Sequence, residues 1–294
     1  MEEVLSTYIK QLGVKDETFH SDQAGNYVLH MHVDHQNGFS FSVFDSPRNK
    51  FIALESYIPR KKSADNQDFL SFIRLLLSQL PELTRNKFKE VHLSFSHPAS
   101  TFVPSALFVE EDKEKYFLMN HTLHSGEKIH VEYMGVLNAY TLYAMDMALS
   151  AYFQTTFPGI VFHHVASILV QNILIENKNR QSAGLFAHIK ADYFELVVIK
   201  EHKLIFYNRF SYKTAEDFSY YLLFVCEQLQ LNPESAEVFL LGEIEKKSSI
   251  YSLLYKYIRN IKFGKRSEAY SYSYGFNEIP AHYYYTLMTQ VFSS

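Results

Sequence analysis

The chain has 294 residues, 47% of them hydrophobic, with 28 basic and 32 acidic side chains and a net charge of −4. That length holds two domains of ordinary size with a substantial core, so wholesale disorder is excluded. The near-neutral balance gives no electrostatic case for nucleic acid, no apolar run approaches the ~20 residues that span a bilayer, and the single Cys226 cannot close an internal disulfide.

In chain order, residues 1–27 are polar and irregular, with room for a short helix near the start. The opening Met1-Glu-Glu-Val-Leu-Ser carries no basic, apolar leader, so a cytoplasmic protein is expected. Val28 to Asp34 alternates as a strand, with Leu29, Met31 and Val33 on one face and His30, His32 and Asp34 on the other. Asn37-Gly38 makes a hairpin turn into Gly38–Asp45, and Lys50–Tyr57 follows as a third strand. Phe69, Phe72, Ile73, Leu76, Leu77 and Leu80 share a helical face that Pro81 ends, and Glu90–Ser96 is a strand.

Residues 97–135 break this pattern and read as an inserted subdomain, with a strand at Glu127–Met134 and another within Val136–Tyr143. Met145–Phe157 is helical up to Pro158-Gly159. Ile160–His164 is extended and Val165–Glu176 helical. Asn177–Ser182 is the polar junction between a first half, residues 1–178, and a second, 179–294.

The second half repeats the first: strands at Gly184–Lys190, Tyr193–Lys200 and Lys203–Tyr212, a helix, then Ala236–Leu241. Thr214-Ala-Glu-Asp217 caps that helix, and Phe218, Tyr221, Leu222, Val225 and Leu229 form its buried stripe. A helix over Ser248–Tyr257, a strand within Ile258–Phe263 and a helix over Ala281–Phe292 complete it. Residues 266–277, with Tyr270, Tyr272 and Tyr274, read as an exposed loop suited to an interface.

Two copies of strand-strand-strand-helix-strand predict an α/β fold of duplicated ribonuclease-H-like units, two halves around a cleft. That arrangement resembles the actin-like ATPase superfamily. The blocks Lys50–Tyr57, Phe157–His164 and Phe206–Tyr221 are similar to an uncharacterised bacterial family with that fold. The layout of Val136–Leu174 resembles, more distantly, the actin-like component of type IV pilus assembly. The resemblance implies a nucleotide cleft with an Asp-x-Gly loop in each half and a Gly-Gly turn under the adenosine. Asp34 matches the first aspartate, but its loop runs Asp34-His-Gln-Asn37-Gly38, with glycine two residues late. Lys190 stands at the second aspartate's place, followed by Ala191-Asp192. Gly242, followed by Glu243, is all that remains of the Gly-Gly turn. Lysine cannot ligate Mg²⁺, and only ten glycines, about half the usual ~7%, are available to wrap phosphates.

Asp34, Asn37, Gly38, Lys190, Asp192 and Gly242 are therefore candidates for a degenerate nucleotide site. No catalytic residue, metal or cofactor is expected, and the leading expectation is a non-catalytic binding or assembly module with an unidentified protein partner, no nucleic acid and no membrane insertion. By analogy with the pilus component, the inserted subdomain would carry the partner. The alternative is a Mg-ATP-binding protein, ATPase or phosphotransferase using Asp34 and Asp192; a ribonuclease-H-like nuclease lacks its acidic set. His30, His32 and Asp34 span ~13 Å along a strand, too far to grip one ion without help. His163 and His164 face opposite sides, and Cys226 reads as a packed thiol.

Overall fold

The structure, a computed structural model, describes residues 8–61 and 65–290. It contains two compact units, one built on the chain up to Ile168 plus Glu268–Glu278, the other on Leu169–Ser267 plus the residues from Ile279.

The first unit begins with strands β1 (Tyr8–Lys15), β2 (Tyr27–Asp34), β3 (Gly38–Asp45) and β4 (Lys50–Pro59). Helix α1 (Asn66–Ser78) follows, capped by the Asp65 carboxylate, which accepts from the Asp68 N–H at 2.9 Å. Its Phe69, Phe72, Ile73, Leu76 and Leu77 pack onto Leu29, Met31 and Val33 of β2. Pro81 does not merely stop this helix; it opens the short α2 (Pro81–Thr84), since its missing N–H costs nothing at a first helical position. β5 (Glu90–Ser96) then runs parallel to β2.

The chain next leaves the main sheet. β6 (Ser100–Pro104), α3 (Lys113–Leu118), β7 (Glu127–Met134) and β8 (Ala139–Asp146) make a small subdomain whose three strands lie in the order β6-β8-β7. Its own core is Val103, Phe117, Leu142 and Ala144. α4 (Met147–Thr156), capped by Asp146 on the Leu149 N–H at 2.7 Å, leads to β9 (Val161–His164), which pairs parallel with β5, and to α5 (Val165–Glu176).

The second unit has β10 (Gly184–Ile189), β11 (Tyr193–Lys200), β12 (Lys203–Ser211), α6 (Ala215–Gln228), β13 (Glu237–Gly242), α7 (Ser249–Leu254) and β14 (Asn260–Phe263). Thr214 and Asp217 form the full capping box on α6. Phe218, Leu222, Val225 and Cys226 pack on Leu185, Ala187, Leu196 and Val198. The order β12-β11-β10-β13-β14 repeats β4-β3-β2-β5-β9 with the same strand senses: two antiparallel pairings, then two parallel. Duplicated units of this kind are the actin-like ATPase fold.

Three expectations are corrected. The stretch before β2 is not irregular: Tyr8–Lys15 is a strand on the edge of β4, a short 3-10 helix (Ser21–Asn26) leads into β2, and residues 1–7, the start of the chain, lie outside the described residues. Residues 266–277 are not a free loop. β15 (Ser271–Tyr272) pairs with the start of β4, Tyr272 stacks on Phe51 at 5.4 Å, Tyr270 packs edge-on to Phe44 and Phe51, and of the three tyrosines only Tyr274 is exposed. The final helix shrinks to α8 (Tyr285–Met288), because Tyr284 takes a left-handed φ of 53° that no continuing helix can pass through; Val291 and Phe292 lie outside the described residues.

Candidate functional site

In the first unit the β2–β3 hairpin brings Asp34, Asn37 and Gly38 together. One Asp34 carboxylate oxygen accepts from the N–H groups of Gln36 at 2.9 Å and Asn37 at 3.1 Å, so this side chain stabilises its own turn. Gly38 has φ 94° and passes so close to the Tyr57 carbonyl that a Cβ would overlap it. Its glycine is required by the crossing of β3 and β4.

In the second unit the ends of β10 and β13 bring Lys190 to Glu243. The ammonium of Lys190 donates to a Glu243 carboxylate oxygen at 2.9 Å. Gly242 has φ 80° and sits against the Ile189 backbone, while the Glu243 N–H donates to the Ile189 carbonyl at 2.8 Å. Asp192 lies in the β10–β11 turn, where its carbonyl accepts from the Tyr212 N–H. Burial, then the negative charges of Glu243 and Asp192, push the Tyr212 hydroxyl up to about 12. Glu243 and Asp192 thus place two carboxylates near the Lys190 ammonium at this end of the second sheet.

Each unit also buries polar groups on the sheet face opposite its main core. In the second, His188 Nδ1 meets a Glu195 oxygen at 3.0 Å, and the Tyr207 hydroxyl donates to the other oxygen at 2.8 Å. Burial opposes the charge on Glu195, but the His188 hydrogen bond and charge, with Arg209 behind, hold its carboxyl below the usual range. The Arg209 guanidinium lies 3.4 Å from the centre of the Tyr193 ring. In the first, His32, the counterpart of His188, meets the Ser94 hydroxyl at 2.8 Å. Both histidines are structural contacts within their sheets.

A longer chain of contacts, which the sequence did not reveal, runs across β5, β9 and β7. Glu90 meets His92 at 3.3 Å, His92 meets His163 at 3.0 Å, and His163 meets Glu132 at 2.7 Å. The second Glu132 oxygen accepts from the His164 N–H, and His164 Nε2 meets the His97 carbonyl. These bonds tie the small subdomain to the main sheet of its unit. Burial, then the neighbouring His163, lowers His92; burial, then His92 and His163, drives His30 well below the ordinary histidine value. His30, His32 and Asp34 do not converge, and no group of three His, Cys, Asp or Glu side chains among the described residues is placed to hold a metal ion. Cys226 is buried in the second core, and burial pushes its thiol up to about 11.

Comparison with known proteins agrees with this architecture. Residues 16–261 match DUF3822, a protein family of unknown function. The chain belongs to that family. Among solved structures, a protein of Bacteroides thetaiotaomicron VPI-5482 with actin-like ATPase fold and unknown function is similar, with a TM-score of 0.75 and 21% identity over 84% of this chain and 94% of that one. The PilM-PilN type IV pilus biogenesis complex is similar more distantly, at TM-score 0.53 and 14% identity over 90% of this chain and 94% of that one. Identities this low establish the shared fold alone. No protein of curated function matches the sequence. No helix among the described residues is long and apolar enough to cross a membrane.

Proposed function

We propose that this DUF3822 protein is a non-catalytic actin-like binding or assembly module whose nucleotide loops now serve as structural contacts. The observation that carries the reading is the Lys190–Glu243 ion pair, standing where a working ATPase would offer a carboxylate to its metal. The residues do not fit Mg-ATP in other respects. Asp34 is engaged with its own turn. Gly242 spends its freedom on the crossing with β10, and the Lys190 ammonium already holds a carboxylate partner. The test is the melting temperature with and without millimolar Mg-ATP. No shift is expected. A ligand at about 100 times its Kd would add about 2.7 kcal/mol, so a clear shift that vanishes in Asp34→Ala would overturn the reading.

The partner we assign to the small subdomain is another protein. PilM was solved in a PilN complex, and we carry only that analogy over. It is supported by exposed apolar side chains there: Leu107, Val109, Leu118 and Met119, the last 78% exposed. Single surface changes away from packing move stability by about 0.5 kcal/mol or less. Met119→Asp should therefore leave the melting temperature unchanged while abolishing any partner cross-linked by the wild-type protein.

A further inference from the structure

The two sheets are built alike down to their irregularities. β4 and β12 are equivalent strands, and each carries one extra residue at the same point of its pairing: Ile52 opposite Val43 and Phe44, and Ile205 opposite Val198 and Ile199. Each strand also begins with a lysine, Lys50 and Lys203. The outer edges differ. In the first unit β1 covers β4 over Ala53–Pro59, antiparallel, and β15 covers Lys50 and Phe51. In the second unit β12 ends the sheet, and no strand lies on its outer edge among the described residues.

The side chains record the difference. Ile52 is 0% exposed and Ile205 is 47% exposed. Just past the end of β1, Asp16 donates its N–H to the Ile52 carbonyl at 2.7 Å and receives the Lys50 ammonium on its carboxylate, also at 2.7 Å. Lys203 is exposed and has no carboxylate within ion-pair distance among the described residues. Beside the bare edge, Tyr221 of α6 stacks on Phe210 of β12 at 4.9 Å, and the exposed Tyr220 and Phe224 stack on each other at 6.0 Å. Phe210, Tyr221, Tyr220 and Phe224 thus form a run of neighbouring rings from β12 to the exposed face of α6.

We propose that the edge of β12 accepts an extended segment of another protein as an added antiparallel strand, with a carboxylate just past its end to meet Lys203. An exposed strand edge supplies main-chain hydrogen bonds, and alternate side chains supply selectivity. The bulge does not protect the edge from pairing, because the equally bulged β4 is paired on both sides of its bulge, by β15 and by β1. The partner's side chains on the α6 side are apolar, to lie on Tyr220 and Phe224. From Lys203 to Ser211 the strand carries Lys203 and Arg209 and no acidic residue. A second copy laid on this edge would bring like charges together, so the occupant is an acidic, apolar segment rather than another β12.

The first unit supplies the probe: a labelled peptide of residues 8–18 of this chain, carrying Lys10→Gln because the place of Lys10's partner Glu55 is taken by Asn208 in β12. With the intact protein we expect saturable binding and slowed amide exchange across Lys203–Ser211. Lys203→Glu should weaken binding about two- to fivefold, the reach of one exposed ion pair. Changing the peptide's Asp16 to Lys should weaken binding to the wild type and restore it to Lys203→Glu. No saturation up to about 1 mM, or binding indifferent to both charge changes, overturns the proposal. Protection confined to β4, meaning exchange with β1, also overturns it, as does protection of β12 that grows with protein concentration and no peptide, which would mean pairing between copies.

Discussion

Gly242→Ala tests whether this glycine serves the fold or a ligand. At φ 80°, the position lies where a side chain costs about 1–2 kcal/mol. The new Cβ would overlap the Ile189 carbonyl and lie 3.0 Å from the Ile189 nitrogen and 3.2 Å from His188 Cδ2. Two of these obstacles are backbone and cannot rotate away. Separating the strands forfeits the 2.8 Å bond from the Glu243 N–H to the Ile189 carbonyl, worth about 1 kcal/mol. The expected loss is about 2–3 kcal/mol without any ligand present. A two-unit chain need not unfold in one step, so the assay is native-state hydrogen exchange of β10 and β13 amides. They should exchange about 30- to 150-fold faster, at 1.4 kcal/mol per tenfold. Acceleration below about fivefold would refute the packing argument. An effect seen only with Mg-ATP would return Gly242 to a phosphate role.

Glu195→Leu removes one partner of a wholly buried pair and takes from His188 the carboxylate it meets; native-state hydrogen exchange of β10 and β11 amides should show a loss of about 3–5 kcal/mol. His130 governs part of the acid response. Burial, then Lys128 and Lys113, lowers it to about 4 from 6.5. The unfolded chain takes up this proton below about pH 6.5 and the folded chain only near 4, so stability is full above that window and lost as pH falls through it. His130→Phe should flatten the fall in melting temperature between pH 6.5 and 4, only in part because His30 and His92 act with the same sign; an unchanged slope would contradict the assignment.

The strands that face a core on one side were legible, because Leu29, Met31 and Val33 or Leu185, Ala187 and Ile189 alternate as burial requires. So was the capping box at Thr214, a local device. β1 was not. It buries no continuous face, and its partner lies some forty residues on, so its sequence carries no period to read. β8, the centre of the small sheet, extends to Asp146 and is joined to β6 across a long separation, beyond the stretch whose composition marks an insertion. In the candidate site, the Asn37-Gly38 turn could be read directly. The Lys190–Glu243 pair could not: 53 residues separate its members, and only the parallel pairing of β10 with β13 makes them neighbours. The same holds for His92, His163 and Glu132, which come from three strands.

What distinguishes the two units bears on function more than what they share. The loop of the first keeps an aspartate, but the turn uses it. In the loop of the second, Lys190 stands where the resemblance implies an aspartate, and a lone lysine there could by itself serve a phosphate as a point charge. Glu243 removes that option at 2.9 Å, and Glu243 and Asp192 add to the burial that raises Tyr212. Lys190→Ala should therefore make this end of the sheet more negative and push the Tyr212 hydroxyl further up, whereas Glu243→Gln should bring it back toward its ordinary value. Because the chain has 22 tyrosines, the titration is read from the ring signals of Tyr212 alone, assigned by NMR through Tyr212→Phe; an ion pair that merely decorates the surface would leave Tyr212 unmoved in both variants.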